Sequence, residues 1–544
     1  MNLINDAWLP VIRASGKKEP IAPWQIAERN DPVIELNAPR PDFQGALYQF
    51  LIGLLQTSFA PADHDVWLEY WGEPPVGKAL QAQLRTIEDA FIFKGNAILP
   101  ALPVFMQEAN LVDGETKPIA ALLIEAPGGK TIRENLDHFI KRDCVGKLCY
   151  SCAATALFTL QTNAPSGGVG HRVGLRGGGP LTTLITPTEN ASLWQKLWLN
   201  VLDAESLVSR VDQPAAGVFP WMGLTRWSDK NGVETRPENT HPLQVYWGMP
   251  RRIKLNYRSE TTGTCDLCGE ENTALIKEYT TRNYGVNYVG EWVHPLTPYW
   301  FDPKKEKPPL SIKGQKGGLG YRHWLGFVLA KSDIGDRAAK VTRAFMEERA
   351  FDIGEQRRAR LWCFGYDMDN MKARCWYDHV LPLFQLNPIQ RDNVLAWIGD
   401  LISAAGEVAD NLGCQVKAAW FSRPADVKGD VINMNTIIQE FWQHSEGKFY
   451  KLLERITALP GNQRLVPSEI YAEWVKELQA MAYSLFDTWA LESPAEDLNM
   501  RRIIAARRGL TKKMNSSKQM KALFAKANMG KGVTNAASTS VSLP

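Results

Sequence analysis

The periodicity of the chain changes near Asn387, and this change limits what the whole can fold into. Val394, Trp397, Ile398, Leu401, Ile402, Ala405, Val408 and Leu412 recur at three- and four-residue spacing, which lays them on one stripe of a helix. Ile438, Phe441 and Trp442, with Phe449, Leu452 and Leu453, form a second stripe. Ile470, Trp474, Leu478, Met481, Leu485 and Trp489 form a third, opened by Pro467-Ser468. Ser493-Pro494-Ala495-Glu496 reads as a capping box with proline at the first helical position, so a fourth helix is expected to start there. Four amphipathic helices in sequence hide their stripes most economically as a four-helix bundle, assigned here to residues 386–513.

Residues 1–385 behave differently. Short apolar stretches are broken by Pro and Gly, as in ITPTEN and PLTPYWFDPKKEKPPLSIKGQKGG, with helical segments such as Gly45–Gln56 and Ala153–Gln161. This pattern predicts a large mixed α+β domain with long loops. No internal repeat and no regular strand–helix alternation appear, which argues against a doubly wound nucleotide fold. A hydrophobic content of 44% supplies real cores, and the nineteen tryptophans are expected to fill them. No stretch approaches ~18 uninterrupted apolar residues, so no membrane partner is expected. The start, MNLINDAWLPVIRASG, lacks the charged and apolar regions of a signal peptide, and eight cysteines in 544 residues do not make a disulfide scaffold. A cytoplasmic setting fits.

The net charge of +3 hides an asymmetry. No acidic residue follows Asp497, while ten Lys and Arg lie in the last 47 residues, leaving the rest at −7. A second acid-free window runs from Cys144 to Thr188. Basic segments without acids mark a polyanion partner. Arg501, Arg502, Arg507 and Arg508 on the fourth helix are candidates for sequence-independent DNA contacts. Residues 514–544 are expected to be a basic, partly disordered tail.

Two CxxC pairs stand out, Cys149-Tyr-Ser-Cys152 and Cys265-Asp-Leu-Cys268-Gly269. Each puts two thiolates on one side of a tight turn, and together they supply the four soft ligands of a structural zinc. The alternatives are a redox pair, for which the helical stretch after Cys152 is the cue, and unligated thiols. Cys144 is a substitute ligand; Cys363, Cys375 and Cys414 are expected in cores.

The second acid-free window contains SGGVGHRVGLRGGGP (Ser166–Pro180), in which seven of fifteen residues are glycine. Such a run is entropically costly and needs a reason. It lacks GxxxxGK[ST], and its glycines do not fit the dinucleotide fingerprint. The chain has no HExxH, GxSxG or kinase set, and its eight histidines show no metal spacing. Nothing here argues for an enzyme. A glycine backbone flanked by Arg172 and Arg176 suits close approach to a phosphodiester chain or a base edge.

The segment LCYSCAATALFTLQTNAPSGGVGHRVGLRGGGPLTTL (Leu148–Leu184) resembles the one that marks the large subunit of the type I-E CRISPR surveillance complex, Cascade, the CasA family. MNLINDAWLPV, CDLCGEENTAL, EWVHPLTP and GYDMDNMKARCWYDH follow the family's order across the N-terminal region. The resemblance implies a non-enzymatic subunit that reads the protospacer-adjacent motif (PAM) in double-stranded target DNA, opens the duplex, stabilises the R-loop and recruits the helicase-nuclease. It implies crRNA and the backbone and small Cascade subunits as partners. The family's glycine loop falls on Gly167, Gly168, Val169 and Gly170, with valine where glycine is expected. Its basic finger falls on Asn283, with Arg282 alongside. Its strand-separating wedge falls on Asn370 and Met371, where the family's better-known residue is glutamine, and its guide-RNA contact falls on Phe139. Two other readings remain: a zinc-supported nuclease, and a non-catalytic scaffold that binds only RNA or protein.

Overall fold

The first helix of the chain has scarcely any polar face. Helix α1, Pro41–Ser58, carries proline in its first turn and buries Phe43, Ala46, Leu47, Phe50, Leu51, Leu54 and Leu55; a helix apolar nearly all round belongs inside a core. Phe50 meets Trp8, Phe91, Phe105, Phe158 and Trp247 edge to face, with ring centroids 5.4–5.9 Å apart. That geometry suits the aromatic quadrupole. Trp67, Trp194, Trp198, Trp247, Trp324 and Trp474 are all fully buried, as the tryptophan count suggested. Helix α2, Tyr150–Asn163, packs against α1.

The computed structural model describes residues 1–94, 103–127, 132–134, 144–188, 191–204, 217–229, 233–271, 273–314, 317–328, 335–353, 359–369, 372–384, 386, 389–427, 434–492 and 499–528. Within them the chain divides into two compact units, Met1–Gly314 with Phe327–Val380, and Gln315–Gly326 with Leu381–Pro544.

The first unit is mixed α+β, built from small sheets. Strand β1 (Leu9–Arg13) lies between β2 (Lys18–Ile21) and β3 (Val33–Leu36), both antiparallel to it. Three further sheets place the features that matter here. They draw on β4 (Glu115–Pro118), β5 (Leu148–Cys149), β6 (Thr182–Pro187), β7 (Arg252–Leu255), β8 (Thr261–Gly263), β9 (Thr273–Ile276), β10 (Glu278–Arg282), β11 (Ala359–Asp369) and β12 (Lys372–Pro382). Strand β9 runs between β5 and β8, β10 between β4 and β7, and β11 between β6 and β12. Strands β9 and β10 are separated by Lys277 alone, so one continuous segment serves two sheets.

The second unit is helical. Helix α3 (Arg391–Trp420) buries Val394, Trp397, Ile398, Leu401, Ala405, Val408 and Leu412, the stripe read from the sequence except Ile402, which is half-buried. Helices α4 (Met434–Thr457), α5 (Ser468–Leu491) and α6 (Met500–Ser516) follow. The Trp474 indole donates to the Leu401 carbonyl at 3.0 Å, locking α5 to α3.

Four details depart from expectation. The described part of the fourth helix begins at Met500, where the Asn499 side chain accepts from the Arg502 backbone N–H; residues 493–496 lie outside the described residues. A fifth helix, α7 (Lys518–Lys526), occupies part of the expected tail, because Met520 and Leu523 are buried. Residues 315–326 join the helical unit rather than the first domain, since Tyr321 stacks on Phe449 with centroids 4.3 Å apart. Cys363 is a core residue, but Cys375 and Cys414 are exposed. No helix among the described residues is long and apolar enough to cross a membrane.

Candidate nucleic-acid interface and metal centre

The four knuckle cysteines converge. Cys149 caps the N-terminus of α2, its sulfur accepting from the Cys152 backbone N–H at 3.4 Å. The second pair arrives from the loop between β8 and β9, and β9 pairs with β5 so that Leu275 lies opposite Cys149. The turn around Cys265–Cys268 closes through a bond from the Gly269 N–H to the Cys265 carbonyl at 3.0 Å, with Gly269 at φ +74°. Asp266 fastens the turn to the first knuckle, accepting from the backbone N–H groups of Gly146 at 2.7 Å and Lys147 at 2.9 Å.

All four sulfurs lie within 4.8 Å of one another, and Cys149 and Cys268 are 3.6 Å apart. A tetrahedral metal with bonds of ~2.3 Å to sulfur sets its ligands ~3.8 Å apart, so the donor set fits such an ion. Hydrogen bonding to the sulfurs of Cys149, Cys265 and Cys268, with burial, holds the Cys152 thiol well above the ordinary thiol range. Hydrogen bonding with the sulfurs of Cys149 and Cys152 draws Cys268 down to about 7. Four sulfurs and no carboxylate in the cluster select a soft metal.

The glycine stretch divides in two. Its second half is internal: a Cβ at Gly174 would lie 2.8 Å from the Thr162 carbonyl oxygen, and one at Gly179 would lie 2.7 Å from Cγ of Met368. Its first half forms a tight turn closed by an antiparallel bridge between Gly167 and His171, with Gly168 at φ +44° and Gly170 at φ +78°. A Cβ at Gly168 would meet nothing nearer than 4.0 Å, and Val169 at the tip is 75% exposed.

The structure brings the glycine turn to the predicted finger. Asn283 Nδ2 donates to the Val169 carbonyl at 2.7 Å, and the Tyr284 N–H donates to the Gly170 carbonyl at 2.8 Å. Arg282, the last residue of β10, is exposed and pairs with no carboxylate among the described residues. Two segments more than a hundred residues apart therefore present one projecting element.

Two supports were invisible in the sequence. Arg251 bonds both the Pro165 carbonyl and Nδ1 of His171, bracing the base of the turn. Burial, together with Arg251, pushes the His171 imidazole down to about 4, so at neutral pH it is uncharged and accepts from the guanidinium. Ser228 receives Arg172 Nε at 2.7 Å and donates to the Gly285 carbonyl at 2.9 Å, tying the glycine segment to the finger a second time. No sequence spacing links Arg251 or Ser228 to the loops they hold.

The flanking arginines do not reach outward as expected. Arg176 is buried and donates to Gln49, Thr182 and Thr297 at 2.6–3.1 Å. Arg172 is held by Ser228. Asn370, Met371 and Phe139 lie outside the described residues, while the strands bounding the wedge position, β11 and β12, end at Asp369 and resume at Lys372.

The four arginines of α6 are not equivalent. Arg502 donates to the carbonyls of Ala419 at 2.7 Å and Trp420 at 2.9 Å, closing the carboxyl end of α3. Arg507 pairs with Asp487 at 2.9 Å and lies over the Tyr483 ring at 3.8 Å. Arg501 and Arg508 are exposed on the outer face of α6, with Lys512 four residues beyond Arg508.

The family model of CRISPR-associated protein Cse1 matches residues 2–485. The chain belongs to the Cse1 family. Among solved structures, CasA of Thermus thermophilus is 17% identical, with 95% of this chain and 100% of that chain covered at a TM-score of 0.68. Cse1 of Thermobifida fusca is 16% identical, with 97% and 98% covered and a TM-score of 0.68. A chain of a CRISPR RNA-guided surveillance complex is 14% identical, with 95% and 99% covered and a TM-score of 0.65. At these identities the likeness is one of fold, and it runs through both the mixed unit and the Cse1-family helical unit. All of α6 and α7 lies beyond the stretch that the family model matches.

Proposed function

We propose that this chain is the large subunit of the type I-E CRISPR RNA-guided surveillance complex, Cascade. It reads the PAM in double-stranded DNA, helps to open the duplex and stabilise the R-loop, recruits the helicase-nuclease, and is not itself an enzyme. The observation that carries the reading is the pinned pair of loops: an exposed glycine turn at Gly167–Gly170 bonded to Asn283, with the cation of Arg282 beside it. A narrow groove admits backbone and small polar side chains, and its code is degenerate, so such an element suits a short, tolerant duplex signal. Base pairing with crRNA would then supply sequence specificity.

The remaining roles follow in this reading. Asn370 and Met371, which fall in sequence between β11 and β12, part the first base pair. Phe139 contacts the guide RNA. Arg501 and Arg508, with Arg502 and Arg507 mainly supporting their helix, give sequence-independent contacts to DNA. The cysteine cluster holds a zinc ion whose closed set of four sulfurs leaves no position for substrate, so its contribution is to fix β9 and hence the base of β10 and the finger.

The experiment compares two variants in the assembled complex. Gly168→Val should reduce motif-dependent capture of a duplex. Asn370→Ala with Met371→Ala should leave capture intact and slow unpairing. A target already bubbled beside the motif should rescue the wedge variant and leave the glycine variant impaired. Equal rescue of both, or of neither, would overturn the assignment of the two loops.

A further inference from the structure

A cavity of about 230 Å³ adjoins the pinned loops, and none of the roles proposed for the chain uses it. Val286 and Tyr288, three and five residues beyond Asn283, form part of its wall with Met249. Tyr288 is fixed by accepting from the Met249 N–H at 2.9 Å, so this apolar wall is rigid. The volume amounts to roughly eight waters at their share of liquid, and falls below the ~300 Å³ at which drug-sized pockets begin. It suits one ring-sized group.

The polar side of the cavity is unsatisfied. Gln244 and Thr235 both line it, they are 6% and 1% exposed, and among the described residues neither the Gln244 side-chain oxygen nor the Thr235 hydroxyl has a hydrogen-bond partner. Leaving such a group unpaired costs about 1–3 kcal/mol, so two at one cavity call for a ligand with a hydrogen-bonding edge. Arg226 also lines it. Its Nη1 donates to the carbonyl and side-chain oxygens of Asn239 at 3.2 and 3.0 Å, and among the described residues it pairs with no carboxylate. A guanidinium held by neutral acceptors keeps its charge for an anion.

A hydrogen-bonding edge, apolar walls and a nearby unpaired cation are together the requirements of a nucleotide removed from its stack. We propose that this cavity receives one unpaired base of a single-stranded nucleic acid, its edge on Gln244 and Thr235 and its phosphate at Arg226. The inference rests on the proposed function, because opening a duplex at the neighbouring glycine turn releases unpaired bases beside the cavity.

The test uses the full chain and short single-stranded DNA, either carrying bases or fully abasic, with binding read by anisotropy. Gln244→Leu removes the polar edge at similar volume. Gly223→Trp fills the lining at a residue with extended backbone, where a Cβ meets nothing within 4 Å, so the fold tolerates it. The wild-type chain should bind the base-bearing strand about tenfold more tightly than the abasic one, the range of one stacked base. Both variants should erase that difference. Motif-dependent capture of a fully paired duplex should persist in both, since the glycine turn is untouched. Variants that keep the tenfold difference overturn the cavity proposal alone. Variants that keep it but fail to assemble into the complex also overturn it, and point to a side chain of a neighbouring subunit as the occupant. A wild-type chain without motif-dependent duplex capture overturns the function itself, whatever the cavity binds.

Discussion

The cysteine cluster and the glycine turn both arise from short spaced motifs, yet they face opposite ways. At the cluster four sulfurs point at one another within 4.8 Å, and Cys149, Cys152 and Cys265 are buried. At the turn Val169 is 75% exposed and Gly168 looks onto open space. The first motif finds its partners inside the chain, and its damage should appear as lost stability. In the proposed reading the second offers backbone to a partner outside, and its damage should appear as lost binding with the fold intact. Because β9 runs into β10 across Lys277, the inward motif also carries the outward one.

The largest expected effect sharpens the inward side. Cys265→Ser should lower bound zinc from about one ion per chain to almost none. It should cost more than about 4 kcal/mol, as removal of a structural metal does. Metal analysis with thermal melting measures both. A well-folded wild-type chain without zinc would remove the claim.

Within the glycine stretch the comparison can be made at single residues. Gly179→Val sets a side chain against Met368 and the Tyr366 carbonyl at a backbone φ of +57°. It should cost roughly 2–4 kcal/mol from strain and overpacking together. Gly168→Val meets only the backbone penalty of about 1–2 kcal/mol, so its melting curve should shift less. If the two shift equally, the turn is not an open element.

The arginines of α6 repeat the contrast. Arg502→Ala strips two hydrogen bonds from the end of α3 and should cost about 1–3 kcal/mol of stability. Arg501→Glu with Arg508→Glu should leave stability nearly unchanged. The double variant should flatten the logarithmic salt dependence of DNA binding by about 0.9 for each phosphate no longer neutralised. The reverse pattern would place the outward face elsewhere on the helix.

The smallest effect concerns His171. Burial lowers its pKa in the folded chain to about 4, below the ordinary value of 6.5. The neutral ring therefore contributes stability that is complete above pH 6.5 and is lost as the pH falls through that window toward 4. His171→Gln should reduce the acid-induced drop in melting temperature between those two pH values. An unchanged drop would show that His171 does not brace the turn.

The helices of the second unit were legible because a 3.6-residue repeat is local: the stripe from Val394 to Leu412 is the buried face of α3. The cysteine spacing was legible because metal chemistry restricts both ligand type and turn length. The fifth helix was hidden by a basic composition in which only Met520 and Leu523 reveal a buried side. The inward roles of Arg176, Arg502 and Arg507 were hidden because charge predicts outward facing until a distant acceptor is known. Arg251 and Ser228 escaped for the same reason: their partners lie 56 to 86 residues away in the chain. Those bonds exist only after the sheets have formed.

The central claim is that the exposed glycine turn reads a duplex signal through its backbone. The most direct measurement is the ratio of affinities of the assembled complex for duplexes with and without the motif, taken for the wild type and for Gly168→Val. Zinc content and melting temperature are followed in the same preparations. The ratio should fall by tenfold or more, in the range of about 1–3 kcal/mol for removal of one base-edge interaction, while zinc and guide-RNA content stay at wild-type levels. An unchanged ratio in a folded, zinc-loaded variant would contradict the claim.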